Sequence, residues 1–139
     1  MLFRSLTQVQ VNPIPDRVGQ ILRNNLLDLF NTDQKPDRPK YFLNVILNEN
    51  TQLLAVQKNQ LATRANYRLT ASYTLSNGQE VVFTSVRTAI SSYNVSKADF
   101  ATLTATQNSQ EQAAREMADA IRTSLAVYFN ERNSRASNQ

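Results

Sequence analysis

Apolar and polar residues alternate with a period of two along much of this chain, and in two places the period lengthens to that of a helix. SLTQVQVNPIP (residues 5–15) sets Leu6, Gln8 and Gln10 against Thr7, Val9 and Val11, which predicts a first strand ended by two prolines. Asp16 then fits a helix N-cap, its carboxylate accepting from free backbone N–H groups. In DRVGQILRNNLLDLFN, residues Val18, Ile21, Leu22, Leu26, Leu29 and Phe30 fall at helical spacing and form one apolar stripe. Gly19 costs that helix about 1 kcal/mol relative to alanine, which close packing on a sheet would explain. NTDQKPDRP (31–39) is a polar connector. KYFLNVILNEN (40–50) predicts a second strand with Tyr41, Leu43, Val45 and Leu47 on one face and Phe42, Asn44, Ile46 and Asn48 on the other.

The second half begins with a turn near Lys58 and Asn59. A simple two-residue loop there would set Leu47 opposite Thr70, with the apolar faces out of phase, so a bulge or a longer loop is expected between Glu49 and Arg64. RLTASYTLSNGQEVVFTSVRT (68–88) then folds about Asn77-Gly78, a strong hairpin signal in which both turn positions take positive φ. Counting outward from Ser76 and Gln79, Tyr73 meets Val82, Ala71 meets Thr84, Leu69 meets Val86 and Tyr67 meets Thr88, a consistent apolar face. On the other face Thr74 meets Val81, Ser72 meets Phe83, Thr70 meets Ser85 and Arg68 meets Arg87, with Arg64 diagonal to that pair.

NSQEQAAREMADAIRTSLAVYFNER predicts a last helix with Ala114, Met117, Ala118, Ile121, Leu125 and Tyr128 inward. On its outer side Glu111/Arg115 and Asp119/Arg122 are spaced as ion pairs. KADFATLTATQ before it is a short helical lead-in anchored by Phe100 and Leu103, and the residues after it form a disordered tail, 132–139. The order strand, helix, three strands, helix describes one domain over residues 1–131. Its fold class is an α+β two-layer sandwich, two helices packed on one face of a four-stranded mixed sheet. Both helices are expected on the face bearing Leu69, Tyr73 and Val86, leaving the arginine face uncovered.

Composition narrows what such a domain does. The 139 residues are 41% hydrophobic, enough for one real core, and no run of apolar residues approaches the ~20 needed to span a membrane. Histidine and cysteine are both absent, which removes His/Cys zinc sites and the cysteine nucleophile. The 11 acidic residues mostly sit beside Arg or Lys at helical spacing, and no Gly-rich phosphate loop occurs. A binding protein without catalysis, cofactor or metal is expected. The net charge of +4 favours anionic partners without naming one. Arg64, Arg68 and Arg87, followed along the hairpin by Val81 and Phe83, suit a ligand that is anionic at one end and apolar at the other, since guanidinium groups bind phosphate bidentately. Neutralisation of the arginines by Glu49 or another acid, with Phe83 an ordinary exposed aromatic, is the plainer alternative. Nucleic acid is disfavoured, because the inferred open face offers one aromatic, Phe83, where single-strand binders use several.

The wording VNPIPDRVGQILRNNLLDLF, ATRANYRLTASYTL and SYNVSKADFATL…EQAAREMADAIRTSLAVYF closely resembles the lipopolysaccharide-assembly lipoprotein family LptE in its alphaproteobacterial form, over roughly residues 5–130. The resemblance implies a lipoprotein at the periplasmic face of the outer membrane. Such a protein plugs the lumen of the β-barrel translocon LptD, assists its assembly and binds lipopolysaccharide. It also implies two helices against a four-stranded mixed sheet. Members carry a basic residue implicated in lipopolysaccharide contact in the loop joining the second and third strands, and Lys58 matches it here. The lipopolysaccharide candidates are therefore Lys58, Arg64, Arg68 and Arg87, and the barrel-contact candidates are Phe83 and Val81. The family's lipidated cysteine is missing, so the chain is read as a soluble segment starting beyond the signal peptide and N-terminal lipid anchor. A periplasmic adaptor whose basic face meets only protein is the alternative.

Overall fold

The computed structural model describes residues 8–30, 39–54, 63–95 and 99–137. Six elements follow in the expected order: β1 (Val9–Val11), α1 (Asp16–Phe30), β2 (Tyr41–Leu54), β3 (Thr63–Ser76), β4 (Val81–Val95) and α2 (Asp99–Ser137). The sheet runs β1-β2-β3-β4. β1 is parallel to β2, with α1 as the crossover, and the two remaining pairs are antiparallel, so the sheet is mixed.

One face of the sheet carries the core. Leu43 and Val45 of β2 and Ala65, Tyr67, Leu69, Ala71, Tyr73 and Leu75 of β3 are buried. They meet Val18, Leu22, Leu26 and Phe30 of α1 and Met117, Ile121, Leu125 and Phe129 of α2. The strand alternation and the helical stripes thus converge on one layer, and burial of each large apolar side chain supplies about 1.5–3 kcal/mol. Small residues bring α2 close to β4: Ala113, Ala114 and Ala118 are buried on the helix, and Ala89 and Ser91 on the strand. Deep in this layer the Tyr73 hydroxyl donates to Ser124 Oγ at 2.8 Å. The Tyr67 hydroxyl is buried without a hydrogen-bond partner among the described residues. Its burial, then the nearby Glu49 carboxylate, push its pKa upward.

Several local expectations are corrected. Gly19 is required by the segment before α1, not by the sheet: a Cβ there would lie 2.7 Å from both Ile14 Cγ2 and the Ile14 carbonyl oxygen. Asp16 opens α1 with φ of 71°, a left-handed conformation that aspartate tolerates better than most residues. Lead-in and last helix form one continuous α2, on which Leu103 is exposed instead of anchoring a core. That helix continues to Ser137, through most of the segment expected to be a disordered tail. Glu111 pairs across to Arg17 of α1 at 3.0 Å, clamping the two helices at the surface. The β2–β3 ladder runs unbroken from Phe42–Ser76 to Leu54–Arg64 and sets Leu47 opposite Ala71, so the phase problem is met by the longer connection over residues 55–62 and not by a bulge.

The β3–β4 hairpin departs most. Asn77 Oδ1 accepts hydrogen bonds from the backbone N–H groups of Gln79 (3.0 Å) and Glu80 (2.9 Å), and only Gly78 of the turn has positive φ. The loop therefore spans Asn77 to Glu80, and Ser76 pairs with Val81. Next to it a bulge leaves Val82 unpaired, so that Leu75 meets Phe83. The register now reads Tyr73–Ser85, Ala71–Arg87, Leu69–Ala89 and Arg68–Ile90. From Phe83 onward, loop and bulge together displace β4 by an odd number of residues, which turns those β4 side chains to the face opposite the one expected, while Val81 stays on the open face. Val86 goes outward, 60% exposed, and Phe83 and Arg87 go toward α2. The physical reason lies in α2: its alanine-rich side packs on Ala89 and Ser91, whereas Thr88 and Ile90 would hold it away.

Candidate functional site

The face of the sheet that neither helix covers is built from the second set of alternating positions. Reading across β2, β3 and β4, its rows are Asn44–Thr74–Thr84, Ile46–Ser72–Val86, Asn48–Thr70–Thr88, Asn50–Arg68–Ile90, Gln52–Asn66–Ser92 and Leu54–Arg64–Asn94. Amides and hydroxyls dominate, and some bond to each other: Thr70 and Thr88 lie 3.2 Å apart, and Ser92 Oγ donates to Asn66 Oδ1 at 2.6 Å. Three β-branched apolar residues interrupt them, Ile46 (66% exposed), Val86 and Ile90 (47%), and Leu54 stands in the last row.

Arg64 and Arg68 share this face, four residues apart on β3, about 13 Å along the strand. No carboxylate belongs to these rows. Glu49 pairs with Leu69 and so projects to the helix side of the sheet. Arg17–Glu111 is the one ion pair among the described residues, so Glu49 does not neutralise the arginines there. The expected three-arginine cluster is thus reduced to two. Val81, 60% exposed, sits on the same face at the hairpin end of β4, far from both.

Arg87 and Phe83 belong elsewhere. On the helix side, Arg87 Nη2 reaches Ser124 Oγ at 3.4 Å, joining the buried Tyr73–Ser124 bond. Phe83 packs on Tyr128 with ring centroids 5.4 Å apart and on Tyr73 at 6.3 Å. This string of rings continues through Phe129 to Tyr41, over whose ring the Arg132 guanidinium lies. Between β4 and α2 a groove of about 420 Å³ is lined by Phe83, Ser85 and Arg87 on one wall and by Ser124, Val127 and Glu131 on the other. Nothing in the Asn-Gly signal foretold this groove. The spacing of Phe83, Ala89, Ser91 and Tyr93 at odd positions, large aromatics flanking small residues, was the clue that α2 would lie on that side. Lys58 falls outside the described residues.

The family model for LptE, described as lipopolysaccharide-assembly, matches residues 6–125. Among solved structures, a protein of Caulobacter crescentus CB15 is similar with a TM-score of 0.74 and 23% identity, over 91% of this chain and 94% of that one. A minor lipoprotein of Acinetobacter baumannii follows at TM-score 0.63 and 17% identity, covering 86% and 92% of the two chains. The rare lipoprotein B of Shewanella oneidensis gives 0.60 and 15%, covering 90% and 96%. These likenesses establish the fold. None of the curated proteins matches the chain.

Proposed function

The chain belongs to the LptE lipopolysaccharide-assembly family, and on that premise we propose that it plugs and helps assemble the LptD β-barrel translocon and binds lipopolysaccharide on its way to the cell surface. Held at the periplasmic face of the outer membrane by a lipid anchor, as the Acinetobacter and Shewanella relatives are lipoproteins, it acts by binding and not by catalysis. The observation that carries this reading is the family match over residues 6–125.

The open face supplies the chemistry. Arg64 and Arg68 present guanidinium groups without a carboxylate among the rows around them, and each can grip a phosphate through two parallel hydrogen bonds. Leu54 and Arg64 are the last described pair before the segment that bears Lys58, so the resemblance-based contact and the two arginines form one candidate set. The uncharged Asn, Ser and Thr rows suit a wet, hydrogen-bonded contact with a polar barrel lumen. Arg87 and Phe83, turned toward α2, are left out of the set.

The test is binding of the purified domain to lipopolysaccharide across a salt series. Arg68→Glu combined with Lys58→Glu is expected to weaken it at least tenfold and to flatten the salt dependence. Unchanged binding would leave a second reading, an adaptor meeting only protein, which the exposed Ile46, Val86 and Ile90 favour. Crosslinking in cells from positions 58, 68 and 86 separates the two: lipid adducts at 58 and 68 support the glycolipid role, and barrel adducts alone support the adaptor.

A further inference from the structure

β4 is the last strand of the sheet and hydrogen-bonds on one side only, to β3; among the described residues nothing pairs with its outer edge. Fifteen residues of unpaired backbone are a template for another strand, and folded proteins usually guard such an edge with lysine, proline or inward charge. VVFTSVRTAISSYNV has no lysine, proline or acid, and its one guard is the inward charge of Arg87 in the groove beside α2. That charge turns away a strand that would set an apolar or basic side chain there and leaves the edge open to one that brings an acid. The part of β2 beyond β1 is also open but carries Asn44, Asn48, Glu49, Asn50 and Gln52, which pair poorly as strand residues. The β4 edge is the one suited to a partner strand.

We propose that the outer edge of β4, with the groove between it and α2, docks an extended segment of a partner protein, which adds as a fifth strand and sets an acidic side chain against Arg87 and an apolar one, two residues away, against Val127. Alternation dictates this pattern. A strand laid beside β4 directs every second side chain toward α2 and the rest onto the open face. On the α2 side it meets Arg87, whose guanidinium has five donors and, among the described residues, makes one bond, to Ser124. Next come Ser85 and the half-exposed Val127, and then Glu131. Ser124 and Glu131 are two helical turns apart, about 10 Å, so the groove is positive at one end and negative at the other. That polarity admits an acid only at the Arg87 end and so selects one alignment. On the open face the segment's branched residues lie beside Thr84, Val86 and Thr88, pairs that stabilise sheets. This site is separate from Arg64 and Arg68 and does not depend on lipopolysaccharide.

The experiment uses the full chain and a fluorescein-labelled octapeptide of alternating Thr and Val in which one groove-side position is Asp. Saturable binding is expected, with new hydrogen-exchange protection confined to β4 amides. Replacing that Asp with Lys in the peptide should weaken binding at least tenfold, as should Arg87→Gln in the protein, while Val127→Glu should block it. Methylating alternate peptide nitrogens on the side facing β4 should abolish it. The peptide changes leave the protein untouched, so their result stands whatever the variants do to folding. No saturation at millimolar peptide, protection outside β4, or equal binding of the methylated peptide would overturn the proposal. So would sedimentation showing that the chain self-associates with its β4 amides already protected, which would make a second copy the occupant.

Discussion

The two faces of one sheet are made from the same strands and differ in almost every physical respect. On the helix side Leu69, Tyr73 and Leu75 are fully buried. On the open side their neighbours Arg68, Thr70, Ser72 and Thr74 stand in water or share hydrogen bonds with hydroxyls across the strand. Stability comes from the first face, and the second is free to be shaped by what it binds. A strand that alternates serves both purposes at once, because its period of two keeps the requirements from colliding.

The sharpest way to break this contrast is truncation on each side. Leu69→Ala, in the middle of β3, should cost about 2–5 kcal/mol by urea unfolding. Ile46→Ala on the open face should stay within about 0.5 kcal/mol. Equal losses would mean that something covers the open face. A second pair tests which way β4 faces. Phe83→Ala removes a ring packed on Tyr73 and Tyr128 and should cost about 1–3 kcal/mol, well above Val86→Ala, which removes an exposed side chain. The reverse ranking would restore the two-residue Asn-Gly turn and the opposite register.

Smaller effects probe the polar atoms inside the covered face. Tyr73→Phe removes the donor to Ser124 Oγ and should cost about 1 kcal/mol; adding Ser124→Ala should increase the loss only by the longer, half-exposed contact from Arg87, since the Tyr73 bond is already gone. Tyr67 should behave differently. Its hydroxyl is buried with no partner within hydrogen-bonding distance among the described residues, yet the Glu49 carboxylate is near enough to act on it, so Tyr67→Phe should be close to neutral. The pH dependence has a defined sign. Burial and Glu49 raise the Tyr67 pKa in the fold, while an unfolded tyrosine titrates near about 10. Below that value both states hold the proton and the contribution is complete. Above it the unfolded chain releases a proton that the fold retains, so stability falls as pH climbs further. Chemical denaturation across alkaline pH should show this fall in the parent and less of it in Tyr67→Phe.

What residue order settled by itself was the sequence of elements and, for β2 and β3, which face each residue takes. Leu43, Val45, Leu69, Tyr73 and the α1 stripe lie where the periodicity sets them, because burial of alternate or every third to fourth residue leaves each strand or helix only one way to turn. The parallel pairing of β1 with β2 followed from a helix between them, and Arg64 and Arg68 emerged on the open face for the same reason as their inward neighbours. The face of β4 was not local information. Its outward series Thr84, Val86, Thr88, Ile90 and its inward series Phe83, Ser85, Arg87, Ala89 are both plausible halves of a strand. The choice fell to the four-residue Asn77 loop, the bulge at Val82 and the alanine-rich side of α2, which needs Ala89 and Ser91 beneath it.

Strand pairing is decided by contacts made far along the chain, and one odd step in register moves a whole set of side chains through the sheet. That is why two arginines could be placed from the sequence, why the third lay on the other face, and why the groove beside β4 became visible only once α2 was seen against it.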